Sequence, residues 1–224
     1  MTHLDTEIHQ LKEEIIEMHR LVRTQLVKCK NALLTYDRDL ASEILTQEKR
    51  VNALELKIDR DCENILALFN PVAGDLRFIL AVLKINNNLE RIADHAEGIA
   101  KYVLELNKPY PTETPIKYRV EDGFAIATGM LDDALEALIK EDTSLARKVF
   151  LKDEQLDEVN KNATDVTLEL IANNAADPLN YLNFLSTIRK LERCGDQTKN
   201  IAEEIIFYIE AKVLKHGKKK TDTI

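Results

Sequence analysis

Tryptophan is absent from the 224 residues, glycine occurs six times and proline five. With Leu, Ile, Ala, Glu and Lys abundant, that shortage of turn formers predicts an all-α protein. Cysteine is scarce too. Cys29, Cys62 and Cys194 are odd in number, scattered, and form no Cys-x-x-Cys pair. This excludes a disulfide framework and a thiolate zinc site, and predicts free thiols in a reducing compartment. Basic residues do not dominate: the net charge is −8, which argues against a general nucleic-acid binder. No apolar run approaches the ~20 residues of a membrane span. The start, Met1-Thr2-His3-Leu4-Asp5, lacks a signal-peptide pattern, so a cytoplasmic location is expected. Nucleophilic triads, Gly-rich phosphate loops and zinc motifs are missing as well. No histidine follows a glutamate at Glu-x-x-His spacing, which counts heavily against the ferritin-like di-iron oxidases.

What is present is helical periodicity. Hydrophobic residues make up 45% and charged residues 31%, enough for a core and a solvated surface. Apolar positions Ile8, Leu11, Ile15, Met18, Val22, Leu26 and Leu33 mark a first helix from Leu4 to Leu34. Asp37 offers a cap, and a second amphipathic run carries Leu40, Ile44, Val51, Leu54, Ile58, Ile65 and Leu68. Asn70-Pro71-Val72-Ala73-Gly74 stops it, and Asp75 is expected to cap a third helix reaching Leu106. Pro109, Pro111 and Pro115 mark a linker. A fourth helix is predicted from Ile116 to Ile139, a fifth from Thr143 to Asn173, and a sixth opened by Asp177-Pro178 and ended near Gly217. The fold expected is all-α: two tandem, similar three-helix bundles built from six long helices of about 30 residues. The first repeat is assigned to 1–108, the linker to 109–115, the second repeat to 116–217 and a basic tail to 218–224.

The repeat is sharpest in one motif. Leu89-Glu90-Arg91-Ile92-Ala93-Asp94 before Ile99-Ala100 is answered by Leu191-Glu192-Arg193-Cys194-Gly195-Asp196 before Ile201-Ala202. Ala32-Leu33 and Asp37 are answered by Ala137-Leu138 and Asp142. A Glu and an Asp four apart share a helix face, and like charges there cost a few tenths of a kcal/mol unless a cation intervenes. The simplest reading of Glu90, Asp94 and Glu97, with Asn86 and Asn87, is a solvated stripe opposite the apolar one. The neighbouring helices add weight to a site. The second helix carries Glu48, Asn52, Glu55 and Asp59 on one stripe, and the fifth carries Asp153 and Asp157. If neighbours run antiparallel, Glu48 and Asn52 lie level with Glu90 and Asp94, and Asp153 and Asp157 lie level with Glu192 and Asp196. Clustered carboxylates without a thiol suit oxygen-bound cations such as iron, manganese, magnesium or calcium. Asn52 makes the first cluster the weaker of the two. His95 is a bystander by its direction, Cys194 a buried inert thiol, and Gly195 a point of close helix approach. Two other classes compete: a carboxylate-ligated multinuclear metal enzyme, hydrolase or oxidase, and a metal-free helical interaction module.

The doubled motif in register, the duplicated three-helix plan and Pro71-Val72-Ala73-Gly74-Asp75-Leu76-Arg77 together resemble the PhoU family of bacterial phosphate-uptake regulators. The likeness extends to about Lys215. It implies multinuclear metal clusters on each bundle, iron foremost, with zinc, manganese, magnesium or calcium as alternatives. The ligands it implies are Glu90 with Asp94, Glu192 with Asp196, Asp153 with Asp157, and Glu48, whose partner position holds Asn52 where an acid is expected. It also implies a non-enzymatic adaptor acting negatively on the phosphate-specific ABC transporter, through its ATPase, and on a phosphate sensor histidine kinase. Such an adaptor is a cytoplasmic homodimer, peripheral at the inner membrane through its partners, without nucleic acid and without a span of its own.

Overall fold

A computed structural model describes residues 2–106, 108–174 and 178–214. Helices α1 (His3–Thr35), α2 (Arg38–Phe69), α3 (Ala73–Glu105), α4 (Glu113–Lys117), α5 (Val120–Lys140), α6 (Thr143–Asn173) and α7 (Pro178–Glu210) follow in order, with no strand among the described residues. Six are long, as the periodicity predicts.

The helix ends carry specific chemistry. Thr2 and Asp5 form a reciprocal capping box on α1, Asp37 accepts from the Leu40 amide, and Asp142 accepts from the Ser144 amide. The two corresponding hairpins turn on one left-handed residue each: Tyr36 between α1 and α2, and Glu141 between α5 and α6. The repeat therefore extends from sequence to backbone.

Three expectations are corrected. Asp75 does not cap α3: the helix starts at Ala73, its N-cap is Val72, and Asp75 lies in the first turn, where its charge still favours the helix dipole. The fourth helix does not run from Ile116. A short α4 ends at Lys117, Arg119 takes a left-handed conformation, and α5 begins at Val120. Tertiary anchoring accounts for the break. The Tyr118 hydroxyl is buried against Thr167 Oγ1 (2.7 Å) and donates to the Tyr181 carbonyl (3.0 Å), and its ring stacks on Phe184. The proline-rich stretch thus holds a helical turn, with Pro115 inside it. The last helix stops at Glu210, short of Gly217. Asp177, Gly217 and the lysine-rich tail lie outside the described residues.

Within the first half α1, α2 and α3 pack on one another; α5, α6 and α7 do the same in the second. The halves join through α3 against α7 and α1 against α5. Helices α3 and α7 run antiparallel, since Lys84 meets Glu204, Asn88 meets Asn200, and Tyr102 meets Lys190. The core is continuous through both halves. It takes in Ile85, Leu89, Ile92 and Ile99 on α3 and Ile188, Leu191, Ile201 and Ile205 on α7. Each such side chain, fully buried, contributes roughly 1.5–3 kcal/mol of transfer free energy. Among the described residues no helix is long and apolar enough to cross a membrane.

Candidate metal centre

The apolar stripes that bury α2 against α3 also fix where the acids go. Because α2 and α3 are antiparallel neighbours, Glu48 on α2 reaches the level of Glu90, Asp94 and Glu97 on α3. All three press on its carboxyl electrostatically. Glu48 is only 5% exposed. Burial raises its pKa to about 7, opposed by a hydrogen bond from Gln25 Nε2 to its Oε2 at 3.3 Å. Its other oxygen, Oε1, is buried with no hydrogen-bond partner, and so is Oε1 of Gln25, a residue wholly shielded from solvent. Glu90 is also raised, by burial first and then by Asp94 and Glu55. Glu55 is raised by burial, Asp59 and Asp94. The stripe is not simply solvated. Asn86 is fully buried, and its amide donates to the Glu55 carbonyl (2.9 Å) and to Asp59 Oδ1 (3.0 Å).

The second half brings its four predicted acids together as well. Glu192 is raised by burial and then by Asp196, with Asp157 and Asp153 contributing and Arg193 opposing. Asp153 is buried and raised by desolvation, against the pull of Lys199. The charge balance, however, is different. Lys199 Nζ sits between Asp153 Oδ2 (2.6 Å) and Asp196 Oδ1 (2.8 Å). Burial works against its charge, but the two carboxylates outweigh that and raise its pKa. Lys199 follows Asp196 by the same interval as Glu97 follows Asp94. The two halves therefore present opposite charges at one repeat position. In the first half Glu97 pairs with Lys101 at 2.5 Å.

Sequence reasoning assigned Glu48, Glu90, Asp94, Asp153, Asp157, Glu192 and Asp196, and the structure gathers them half by half. It did not assign Gln25, Glu55, Glu97 or Lys199. Lys199 was legible by setting the two motif copies side by side; Gln25 was not, because it lies on α1 among core positions. His95 stands among Lys190, Arg91 and Arg193. Its pKa is lowered to about 4 by burial and then by Lys190, against the opposing charge of Asp94. Cys194 is buried and free. Gly195 has a clear cause: a Cβ there would lie 2.8 Å from Leu156 Cδ2 and 3.3 Å from Asp153 Oδ1.

Among the described residues, no three His, Cys, Asp or Glu side chains converge tightly enough to form a coordination sphere. The donor set nevertheless differs between halves in what it lacks. In the first half Gln25 Oε1, Glu48 Oε1 and Asn86 Oδ1 are buried acceptors without a donor. Each half also holds an ammonium beside its acids: Lys101 on Glu97 in the first, and Lys199 between Asp153 and Asp196 in the second.

The profile of the PhoU domain matches this chain twice, over residues 15–103 and 120–205. The chain is 35% identical over 217 residues to the phosphate-specific transport system accessory protein PhoU homolog of Aquifex aeolicus, covering 94% of each. It is 28% identical to the phosphate-specific transport system accessory protein PhoU of Escherichia coli, covering 95% of this chain and 87% of that one. The crystal structure of PhoU from Pseudomonas aeruginosa superposes with a TM-score of 0.86 at 28% identity, over 94% of this chain and 100% of that one. The PhoU structure from Streptococcus pneumoniae gives 0.84 at 28% identity, over 95% and 99%. Two matched domains covering most of the sequence, on a fold shared with solved relatives, place the chain in the PhoU family.

Proposed function

We propose that this protein is a regulatory accessory protein of phosphate-specific transport that restrains phosphate uptake and phosphate-starvation signalling. The observation that carries this is full-length likeness. Relatives matched over nine-tenths of the chain bear that accessory name, and both halves of the chain carry the domain. The role is that of an adaptor and not of an enzyme. Its partners are the ATPase of the phosphate-specific ABC transporter and a phosphate sensor histidine kinase, met at the cytoplasmic face of the membrane, and it works as a homodimer.

Metal binding belongs to the same reading, with iron the first choice of ion. The acids gathered on α2 and α3, and the unpaired oxygens of Glu48 and Gln25, support it. A bound cation would neutralise the clustered carboxylates and tie α2 to α3.

The test of the regulatory role is genetic. Deleting the gene should derepress phosphate-starvation genes in phosphate-rich medium. Unchanged expression, with the transporter and kinase genes intact, would remove the proposal.

A further inference from the structure

The segments that open the two halves are copies that part company near their start. At the interval relating Asp37 to Asp142, Leu11, Lys12 and Ile15 answer Ile116, Lys117 and Val120. Ile15 and Val120 are both wholly buried. One turn earlier the copies diverge: Leu11 is 1% exposed, whereas Ile116 is 74% exposed. The break at Arg119 is the cause. Helix α1 is unbroken through this level, while α4 is pinned sideways onto α6 and α7. Tyr118 holds it to Thr167 and Tyr181, and Lys117 holds it to Glu169 at 2.9 Å. The side chain that matches Leu11 is thereby kept out of the junction it would close.

What is left is a cavity of about 810 Å³ beside the turn from α1 to α2, walled by Leu34, Tyr110 and Val120, with Ile116 on its lining. Its charges do not cancel. Arg119 pairs with Asp122 at 2.8 Å, and Glu121 has no ion-pair partner among the described residues. Glu121 stands where the first half has Ile16, which is buried. The first half shows what closes such a junction: Leu11 is buried, and Lys12 beside it pairs at 2.8 Å with Glu141, on the turn that matches Tyr36. We infer that the cavity between α1 and the α4–α5 break is a protein docking site, whose occupant inserts a leucine-sized side chain with a lysine or arginine next to it. The occupant supplies from outside what Leu11 and Lys12 supply within the first half, its basic group meeting Glu121. An apolar anchor in a pocket with a charge at the edge is the usual layout of an interface hot spot. The inference deepens the accessory reading above and rests on it, with the transporter ATPase as the partner that docks here.

The experiment measures binding of the full chain to the purified ATPase of the phosphate-specific transporter by biolayer interferometry. The wild type is compared with Ile116→Asp, with Glu121→Lys, and with Leu56→Asp, which alters another exposed leucine, on α2. Binding should weaken about tenfold in Ile116→Asp, and about threefold in Glu121→Lys with a shallower salt dependence, and stay unchanged in Leu56→Asp. Because Ile116 is exposed, Ile116→Asp should melt with the wild type, so a loss of binding is not a loss of fold. ATPase binding retained by both cavity variants overturns the inference and leaves the accessory reading standing. A change of oligomeric state in Ile116→Asp, seen by sedimentation with ATPase binding intact, also overturns it, since the occupant is then a second copy of the chain. If the wild type binds no ATPase the inference falls, and the gene deletion above decides the accessory reading separately.

Discussion

Lys84 on α3 places its ammonium 3.0 Å from the carboxylate of Glu204 on α7, an acid only 3% exposed. The pair spans the seam between the two halves. Lys84 also reaches over the Phe207 ring, at 5.4 Å from its centre. Removing Lys84 takes from the buried Glu204 carboxylate one of its interactions, the favourable charge across the seam. Because half of the Lys84 side chain is exposed, solvent screening trims the effect. Lys84→Met is expected to destabilise by about 1–2 kcal/mol. Urea unfolding measures it, and Lys84→Arg should recover most of the loss.

Gly195 trades helix propensity for space. Alanine is favoured over glycine in a helix by about 1 kcal/mol, yet the added methyl would meet Leu156 Cδ2 at 2.8 Å. Overpacking a tight core costs about 1–3 kcal/mol. Gly195→Ala should therefore come out destabilised by about 1 kcal/mol. The double variant with Leu156→Val should return close to the wild type, a coupling that a double-mutant cycle reads directly.

His19 gives the protein a pH-dependent stability component of known sign. Its ring is wholly buried on α1, with Nε2 at 2.8 Å from the Leu131 carbonyl. Burial lowers its pKa from 6.5 to about 4. Above its ordinary value the ring is neutral whether folded or not, and nothing is lost. As pH falls from 6.5 toward 4, the unfolded chain binds a proton that the folded chain refuses, so stability drops, by up to about 3 kcal/mol. In His19→Gln this component should vanish. The check is the difference in unfolding free energy between wild type and variant, which should shrink as pH is lowered through that window.

The thiols should be inert in the native state. Burial pushes Cys62 and Cys194 up to about 12, and Cys29 is raised as well. Thiolate is the reactive form. A disulfide reagent at mildly alkaline pH should label none of the three in the folded protein and all three in denaturant. Fast labelling of Cys194 without unfolding would contradict its placement in the core.

The sequence by itself determined the all-α class, the six long helices and their pairing as two copies of one plan. Those features follow from local rules: apolar spacing sets which face is buried, and capping residues such as Thr2, Asp37 and Asp142 set where helices begin. The motif copies also named four acids, Glu90 with Asp94 and Glu192 with Asp196, because a helix puts residues four apart on one face, and the stripes of the neighbouring helices added Glu48, Asp153 and Asp157. Tertiary structure decided the rest. The break at Tyr118 depends on Thr167 and Tyr181, far away in the chain. The pairing of α3 with α7, and the ion pair it holds, depends on packing between halves. Above all, the partners of the acids came from α1 and from the far side of the motif: Gln25 leaves Glu48 half satisfied, while Lys199 closes on Asp153. Periodicity says which way a side chain points along its own helix; what meets it there is fixed only when another helix arrives.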